Sequence, residues 1–281
     1  MAGVRIVTDS ACDLTDEEAS ALGIEVVPLS IRFGSDEFED RSELSAEDFY
    51  AKMDQRSELP ETAAPSPGKF EAAFRRQADA GASSVVCINI SSDLSATMAA
   101  AENAARAIGD DVDVRVVDSK SITAGLGTQV LLAAQRAADG ASADEVVALV
   151  EDLRTRTHVF GCLDTLENLK KGGRIGGAQA MLGSLLSIKP MIDISTGVVE
   201  EAGKHRTRKK SLEALREKVR AAGAVEHLAI MHGMAPDVGV MTALLDEDGY
   251  EYRLGHIGAV IGSHGGPRVV GACWVDAAPR P

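Results

Sequence analysis

The alternation of β-branched runs with helical segments is the feature that most constrains the fold of this chain. Four runs in the first half predict strands: Val4–Val7, Ile24–Val27, Ser84–Ile90 and Val114–Val117. Other segments predict helices, among them Ala11–Leu22 and a helix that opens with a capping box of Ser142 and Glu145. Strands connected by crossover helices pair in parallel. The pattern therefore predicts an α/β fold with a mainly parallel sheet covered on both faces.

From about His158 the pattern changes to one that favours an α+β arrangement. Ile188–Glu200 predicts a hairpin with its turn at Thr196-Gly197, and Leu254–Val275 predicts a β-like segment interrupted by glycines. No proline-rich or serine-rich linker separates the two halves. We therefore expect a parallel-sheet domain followed by an α+β domain, over residues 1–157 and 158–281.

Composition and charge exclude several classes of protein. Hydrophobic residues make up 45% of the 281 residues and charged residues 26%, which is typical of a packed protein and not of a disordered one. The net charge of −14 argues against a nucleic-acid-binding surface. No uncharged apolar run approaches the roughly 18 residues of a membrane span, and the N-terminal residues lack the apolar core of a signal peptide. We expect a cytoplasmic protein without an integral membrane segment.

Enzyme and cofactor motifs are absent from the sequence. The four cysteines lie far apart and form no Cys-x-x-Cys pair, and no histidine spacing indicates a metal site. There is no phosphate-binding loop, and Gly125-Leu126-Gly127 lacks the third glycine of a dinucleotide fingerprint. A Gly-x-Ser-x-Gly nucleophile elbow is also missing. We expect no metal and no cofactor.

Two hydroxyl residues lie where a parallel sheet places its ligand crevice, beyond the carboxyl ends of the strands. Thr62 precedes a helix that opens at Ser66-Pro67, and Ser95 follows the strand Ser84–Ile90. The neighbouring Ser66 and Ser92 have a simple explanation as helix caps. Thr62 and Ser95 are not needed as caps, which makes them the better ligand candidates.

Two further side chains are candidates for holding an anion. Arg174 follows two glycines, whose backbone can bend tightly and bring a cation into a crevice. His264 lies among glycines that leave room for a ligand. The alternatives are a helix C-cap at Gly172 and a structural histidine.

A basic segment stands out in this acidic chain. Residues 204–210 contain five lysines or arginines. They form either a solvated charged face or a docking patch for an acidic partner, with Arg206, Arg208 and Lys209 as candidate contacts.

Taken together, these residues resemble the DegV family of fatty-acid-binding proteins. The resemblance covers nearly the whole chain and follows the family's order of motifs: Ile6–Ser10, Thr62–Gly68, Ile90–Thr97, Val117–Ser119, Leu169–Ile175, Ile188–Pro190 and Gly262–Pro267. It implies two domains with a ligand tunnel between them.

The resemblance also implies roles for the candidate residues. Thr62 and Ser95 would hold the carboxylate of a long-chain fatty acid, and Arg174 and His264 would complete the surroundings of the head group. Some members present the fatty acid to a separate ATP-dependent kinase that makes acyl phosphate. Ala96 and Arg268 depart from the family pattern, which would have glycine at both positions, and put the clearance of the head group and partner docking in question.

Two other functions remain open at this level. In an acyl or phosphoryl transfer enzyme, Ser95 or Ser10 would be the nucleophile and His264 its base. In a pure adaptor protein, the basic segment would carry the function.

Overall fold

The computed structural model describes residues 3–182 and 188–277. The strands are β1 (Val4–Asp9), β2 (Glu25–Val27), β3 (Ser30–Phe33), β4 (Asp36–Glu39), β5 (Glu61–Ala63), β6 (Ser84–Asn89), β7 (Asp113–Asp118), β8 (Thr157–Cys162), β9 (Lys189–Asp193), β10 (Glu200–His205), β11 (Val225–His232), β12 (Arg253–His256) and β13 (Val270–Asp276). The α-helices are α1 (Asp16–Ala21), α2 (Ala46–Gln55), α3 (Pro67–Asp79), α4 (Thr97–Ile108), α5 (Thr123–Ala138), α6 (Ala143–Arg156), α7 (Glu167–Lys171), α8 (Arg208–Ala221), α9 (Val238–Glu247) and α10 (Ala259–Gly265).

The first sheet is parallel, as the strand and helix pattern predicts. Its order is β2-β1-β6-β7, and β1 pairs with β2 on one side and β6 on the other. Phe70 and Phe74 of α3 pack with α4 on one face of the sheet, whereas α5 and α6 contact the other face. After β1 the chain adds β2 on one side of it, and β6 is added later on the other side, so the strand order reverses at β1. The crevice of such a sheet therefore lies beyond the carboxyl ends of β1 and β6.

The second sheet is mixed and has the order β10-β9-β8-β13-β11-β12. Among the strand pairs of this second sheet within the described ranges, only β11–β12 is parallel. One face packs against α8 and α9 around Phe160 and Trp274, and the other face contacts α5. A small antiparallel sheet of order β4-β3-β5 completes the fold. The α/β and α+β halves therefore follow one another along the chain as expected.

The predicted division at residue 157 coincides with the first residue of β8. Helices α5 and α6, which precede it, both contact the second sheet as well as the first. The division into two domains stays a prediction. No helix of the described ranges is long and apolar enough to cross a membrane.

Two local predictions about secondary structure are wrong. The helix predicted over Ala11–Leu22 begins only at Asp16, because Thr15 and Glu18 form a capping box there. The glycine-rich stretch within Leu254–Val275 contains the helix α10 between two strands. Its Gly262 lies against Tyr50 of α2, where a Cβ atom would come within 2.5 Å of the tyrosine oxygen. Close packing of α10 on α2 therefore explains Gly262, which the sequence pattern assigns to a β-like segment. The hairpin predicted over Ile188–Glu200 is present as β9 and β10, although its second strand runs over Glu200–His205 and begins where the predicted strand ends.

Candidate functional site

A cavity of about 810 Å³, including its open mouth, lies between the two large sheets and α10. Its walls are mostly apolar and include Leu29, Ile90, Leu163, Ile192, Ile194 and Val260. All four predicted ligand residues, Thr62, Ser95, Arg174 and His264, line this one cavity.

Thr62 and His264 are 202 residues apart in sequence and meet in space. Thr62 lies on β5, which pairs with β3, and His264 lies in the last turn of α10, which packs on both strands. The Thr62 Oγ1 atom is 2.9 Å from His264 Nε2. A hydroxyl and an imidazole therefore form a hydrogen-bonded pair at the cavity wall.

The surroundings of His264 keep its imidazole neutral at pH 7. Burial, together with the positive charge of Arg174, lowers the pKa of His264 to about 4. Its Nδ1 atom is buried and has no hydrogen-bond partner within the described residues. The ring packs on Gly172, where a Cβ atom would come within 2.3 Å of Nδ1. Gly172 thus makes room for the ring in addition to ending α7 as its C-cap.

Arg174 is half-buried and held by backbone oxygens. Its Nε atom donates to the carbonyl of Leu94 over 3.0 Å, and Nη1 donates to the carbonyl of Gly172 over 2.6 Å. Within residues 3–182 and 188–277 no carboxylate lies within ion-pair distance of it. The guanidinium group is therefore fixed in place with its charge unpaired, next to an apolar cavity.

Ser95 reaches the cavity from the loop between β6 and α4. Its Oγ atom lies 2.8 Å from Thr97 Oγ1 and accepts a hydrogen bond from the Thr97 backbone N–H over 3.3 Å. Ser92, the alternative cap, instead donates to Asp118 over 2.5 Å. Ser66 stands at the N-cap position of α3, although its side chain makes no cap hydrogen bond.

A half-buried carboxylate that the sequence did not single out links two helices beside the cavity. Asp13 accepts hydrogen bonds from Thr123 Oγ1 over 2.6 Å and from the Gly258 N–H over 3.0 Å. These two residues stand at the starts of α5 and α10. Burial raises the pKa of Asp13 to about 7. Thr123 and Gly258 lie 110 and 245 residues from Asp13 in the sequence, so no local pattern indicates these two contacts.

The Thr8-Asp9-Ser10 motif is also structural. Asp9 accepts hydrogen bonds from the backbone N–H groups of Ala11 and Ile90 and from the side chain of Asn89. It thereby joins the carboxyl ends of β1 and β6 at the crevice. Ser10 Oγ accepts from the Leu29 N–H and is almost fully buried.

One protein family matches the whole described range of the chain. The family model for DegV, described as an uncharacterised protein of the DegV family, matches residues 3–277. The chain belongs to the DegV family. A DegV domain-containing protein from Deinococcus radiodurans is 37% identical over 274 residues, which cover 95% of this chain and 96% of that protein.

Two solved structures of DegV proteins are similar over their full length. A DegV family protein from Thermus thermophilus, solved in a study of its fatty acid binding, is 34% identical with a TM-score of 0.89. The alignment covers 98% of this chain and 100% of that one. DegV from Bacillus subtilis, a fatty acid binding protein, is 28% identical with a TM-score of 0.86, and the alignment covers 99% and 100% of the two chains.

Neither of the two residues that depart from the DegV motif pattern lines the cavity. Ala96 is exposed, so its methyl group takes no space from the cavity. Arg268 forms an ion pair with Asp164, which also binds Lys189 over 2.8 Å. The backbone oxygen of Arg268 accepts a hydrogen bond from Arg208.

One of the three candidate docking residues has a structural role. The Arg208 side chain is only 16% exposed and pairs with Asp237 over 2.9 Å. It also donates to the Arg268 carbonyl over 2.6 Å, which holds the start of α8 to the loop before β13. Arg208 is thus engaged within the fold and not free to meet a partner. Arg206 is exposed, and the Lys209 side chain is 79% exposed.

Proposed function

We propose that this DegV chain binds a long-chain fatty acid without changing it, with the carboxylate at Thr62, Ser95, Arg174 and His264. The observation that carries the proposal is Arg174, which has no carboxylate partner among the described residues and lies beside an apolar cavity whose polar wall also holds the other three residues. A molecule with one anionic end and a long apolar body fits such a site. The fatty acid binding of the relatives from Thermus thermophilus and Bacillus subtilis supports the same conclusion.

The tautomer of His264 determines whether His264 or Thr62 donates in the hydrogen bond between them. The buried Nδ1 atom of His264 has no hydrogen-bond partner within the described residues, and a lone pair without a partner costs less there than an unpaired N–H group would. The proton of the neutral ring therefore sits on Nε2 and is donated to Thr62 Oγ1. The hydroxyl proton of Thr62 is then free for the carboxylate. In this arrangement His264 orients Thr62, and Thr62 contacts the ligand.

The hydrocarbon tail supplies most of the affinity. Burial of a sixteen-carbon tail at ~0.8 kcal/mol per CH₂ group contributes roughly 12 kcal/mol before the ordering costs. Each charge-assisted hydrogen bond at the head group contributes about 1.5–3 kcal/mol. The tail thus sets the affinity, and the head group sets the orientation and the preference for an acid.

The contacts of the serines favour a carrier over an enzyme. Ser95 bonds to Thr97, and Ser10 is buried against Leu29, so His264 activates neither of them within the described residues. A pKa of about 4 also makes His264 a poor general base at pH 7. A nucleophile with a positioned base, which acyl or phosphoryl transfer requires, is not assembled here.

We further propose that the bound acid is presented to a fatty acid kinase. Thr62, Arg174 and His264 also line a polar surface depression that includes Glu58 and Lys171. The head group therefore stands between the apolar cavity and the surface, where a partner can reach it. The exposed Arg206 and Lys209 supply a basic docking surface for an acidic partner. Replacement of both by glutamate is expected to stop acyl phosphate formation by the kinase while fatty acid binding persists.

The experiment that tests fatty acid binding compares head groups on one tail. The delipidated protein is titrated by calorimetry with palmitate, hexadecanol and methyl palmitate, which share sixteen carbons and differ in charge. We expect one palmitate per chain and weaker binding of the two neutral ligands. Mass spectrometry of each ligand after incubation should show it unchanged. Equal affinity for palmitate and its methyl ester, or no binding of either, would contradict the proposed site.

A further inference from the structure

Two glycines face each other across neighbouring strands in the floor of the cavity. Gly161 of β8 and Gly271 of β13 are direct partners in the antiparallel register, and both line the cavity. The same row of the sheet continues to Ile192 on β9 and Met231 on β11. Two adjacent positions without side chains therefore form a trough bounded by Ile192 and Met231.

The alternation of side chains places this trough on the cavity side of the sheet. Val159 and Leu163, two residues on either side of Gly161, line the cavity. Val269 and Cys273 do the same on either side of Gly271. Phe160 and Ala272 point to the opposite core against α8 and α9. Because alternate residues share one face of a strand, side chains at both glycines would project into the cavity.

Neither backbone conformation nor packing within the protein requires glycine at position 161. Gly161 is not among the residues with positive φ, so an L-residue can adopt its conformation. A Cβ atom there would meet its nearest neighbour, Ile192 Cγ1, at 3.5 Å, which is an ordinary van der Waals contact. At position 271, by contrast, local packing favours glycine, because a Cβ atom would lie only 3.1 Å from the carbonyl oxygen of Phe160. Glycine weakens the interior of a strand and often marks the close approach of a ligand.

We propose that Gly161, with Gly271 opposite it, determines which tail lengths the cavity admits. The proposal rests on the fatty acid binding proposed above and adds the residue that sets its specificity. On one side of the glycines the next row on this face is the pair Cys273 and Val159, about 7 Å away at the spacing of alternate residues. On the other side, Val269 and Leu163 lie one residue beyond the paired parts of β13 and β8 and form the first row. Val269 contacts Gly265, next to His264 in α10, so this row is on the head-group side. Methylene groups that reach the far row must cross the two glycines.

The test adds volume at position 161 in two steps. Gly161→Ala and Gly161→Val are titrated with saturated acids of ten to eighteen carbons, alongside the parent protein. Each methylene group that loses its place should cost about four-fold in affinity, since ~0.8 kcal/mol corresponds to that factor. We expect a loss confined to the long acids, larger for valine than for alanine, with the short acids bound as in the parent. Gly239→Ala is the matched control, because no atom lies within 4 Å of its added Cβ.

A variant that enlarges the trough keeps the test decisive if the larger side chains at position 161 unfold the protein. Ile192→Val removes one methyl group from the edge of the trough, and it should raise the affinity for the longest acids relative to the shortest. A uniform change across all chain lengths in the folded variants, or none, would overturn the role of Gly161. If the parent protein binds no acid of any length, the proposed function itself is wrong, which is a different and separately visible result.

Discussion

Replacement of Thr62 by valine removes one hydroxyl group from the head-group wall and preserves the shape of the side chain. The Thr62 hydroxyl lies 2.9 Å from His264 Nε2 and, in the proposed complex, donates its proton to the carboxylate. Loss of a hydrogen bond to a charged group costs about 1.5–3 kcal/mol, which corresponds to a drop in palmitate affinity of about 10- to 150-fold. The contribution of the tail is the same in both proteins and cancels.

The assay separates the head group from the tail. Palmitate and hexadecanol are titrated into the parent protein and Thr62→Val by calorimetry at pH 7.5. A neutral hydrogen bond contributes only about 0.5–1.5 kcal/mol, so binding of the alcohol should weaken much less than binding of the acid. The preference for acid over alcohol is therefore expected to fall by about tenfold.

Two controls distinguish the loss of a ligand contact from damage to the fold. Ser66→Ala removes a hydroxyl four residues further along, where the serine is exposed and makes no cap hydrogen bond. That variant should bind both ligands as the parent does. Thermal unfolding of the ligand-free proteins reports any cost of leaving His264 Nε2 without its partner. If Thr62→Val binds palmitate within two-fold of the parent, the assignment of Thr62 to the carboxylate is wrong.

Two more substitutions test the surroundings of the head group. Arg174→Lys keeps the positive charge but loses the guanidinium group that donates to the carbonyl oxygens of Leu94 and Gly172. In the same titration, palmitate affinity should fall about tenfold while hexadecanol affinity remains unchanged. Equal losses for both ligands would show that Arg174 only supports the cavity. Burial raises the pKa of Asp13 from its ordinary 3.8 to about 7 in the folded protein. Ionisation of Asp13 therefore lowers the free energy of unfolding as pH rises from about 4 to about 7, by up to about 4 kcal/mol. Asp13→Asn cannot ionise, and urea unfolding at pH 5 and pH 8 should show the variant losing less stability than the parent; parallel losses would refute a raised pKa at Asp13.

The residues of the head-group site were accessible from the sequence because each stands in a short local motif. Thr62 precedes a Pro-Ser-Pro helix start, and Arg174 follows two glycines, so both could be placed in non-helical segments without the fold, although Thr62 lies on strand β5 and not in a loop. The structure brings these residues to one cavity with Ser95 and His264. Their contacts with the ligand stay a prediction.

The walls of the cavity could not be predicted in the same way. Gly161 and Gly271 are 110 residues apart, and only the antiparallel register of β8 and β13 makes them neighbours. Helix α10 was missed because its glycines resemble those of a turn-rich segment, although Gly262 is there to let Tyr50 approach. Asp13 likewise acquires its raised pKa from burial, which no local pattern reveals. These features depend on packing between residues that are far apart in the sequence, and the local spacing of residues does not indicate such packing.

A crystal structure with 16-bromohexadecanoic acid tests the central proposal most directly. The bromine atom marks the end of the tail by its anomalous scattering, and the carboxylate is visible in ordinary density. We predict one molecule in the cavity, with its carboxylate within hydrogen-bond distance of Thr62 Oγ1 and of the Arg174 guanidinium group, and with its tail passing over Gly161 and Gly271. A tail that enters from the opposite direction, or an acid bound elsewhere while the cavity stays closed, would contradict the account.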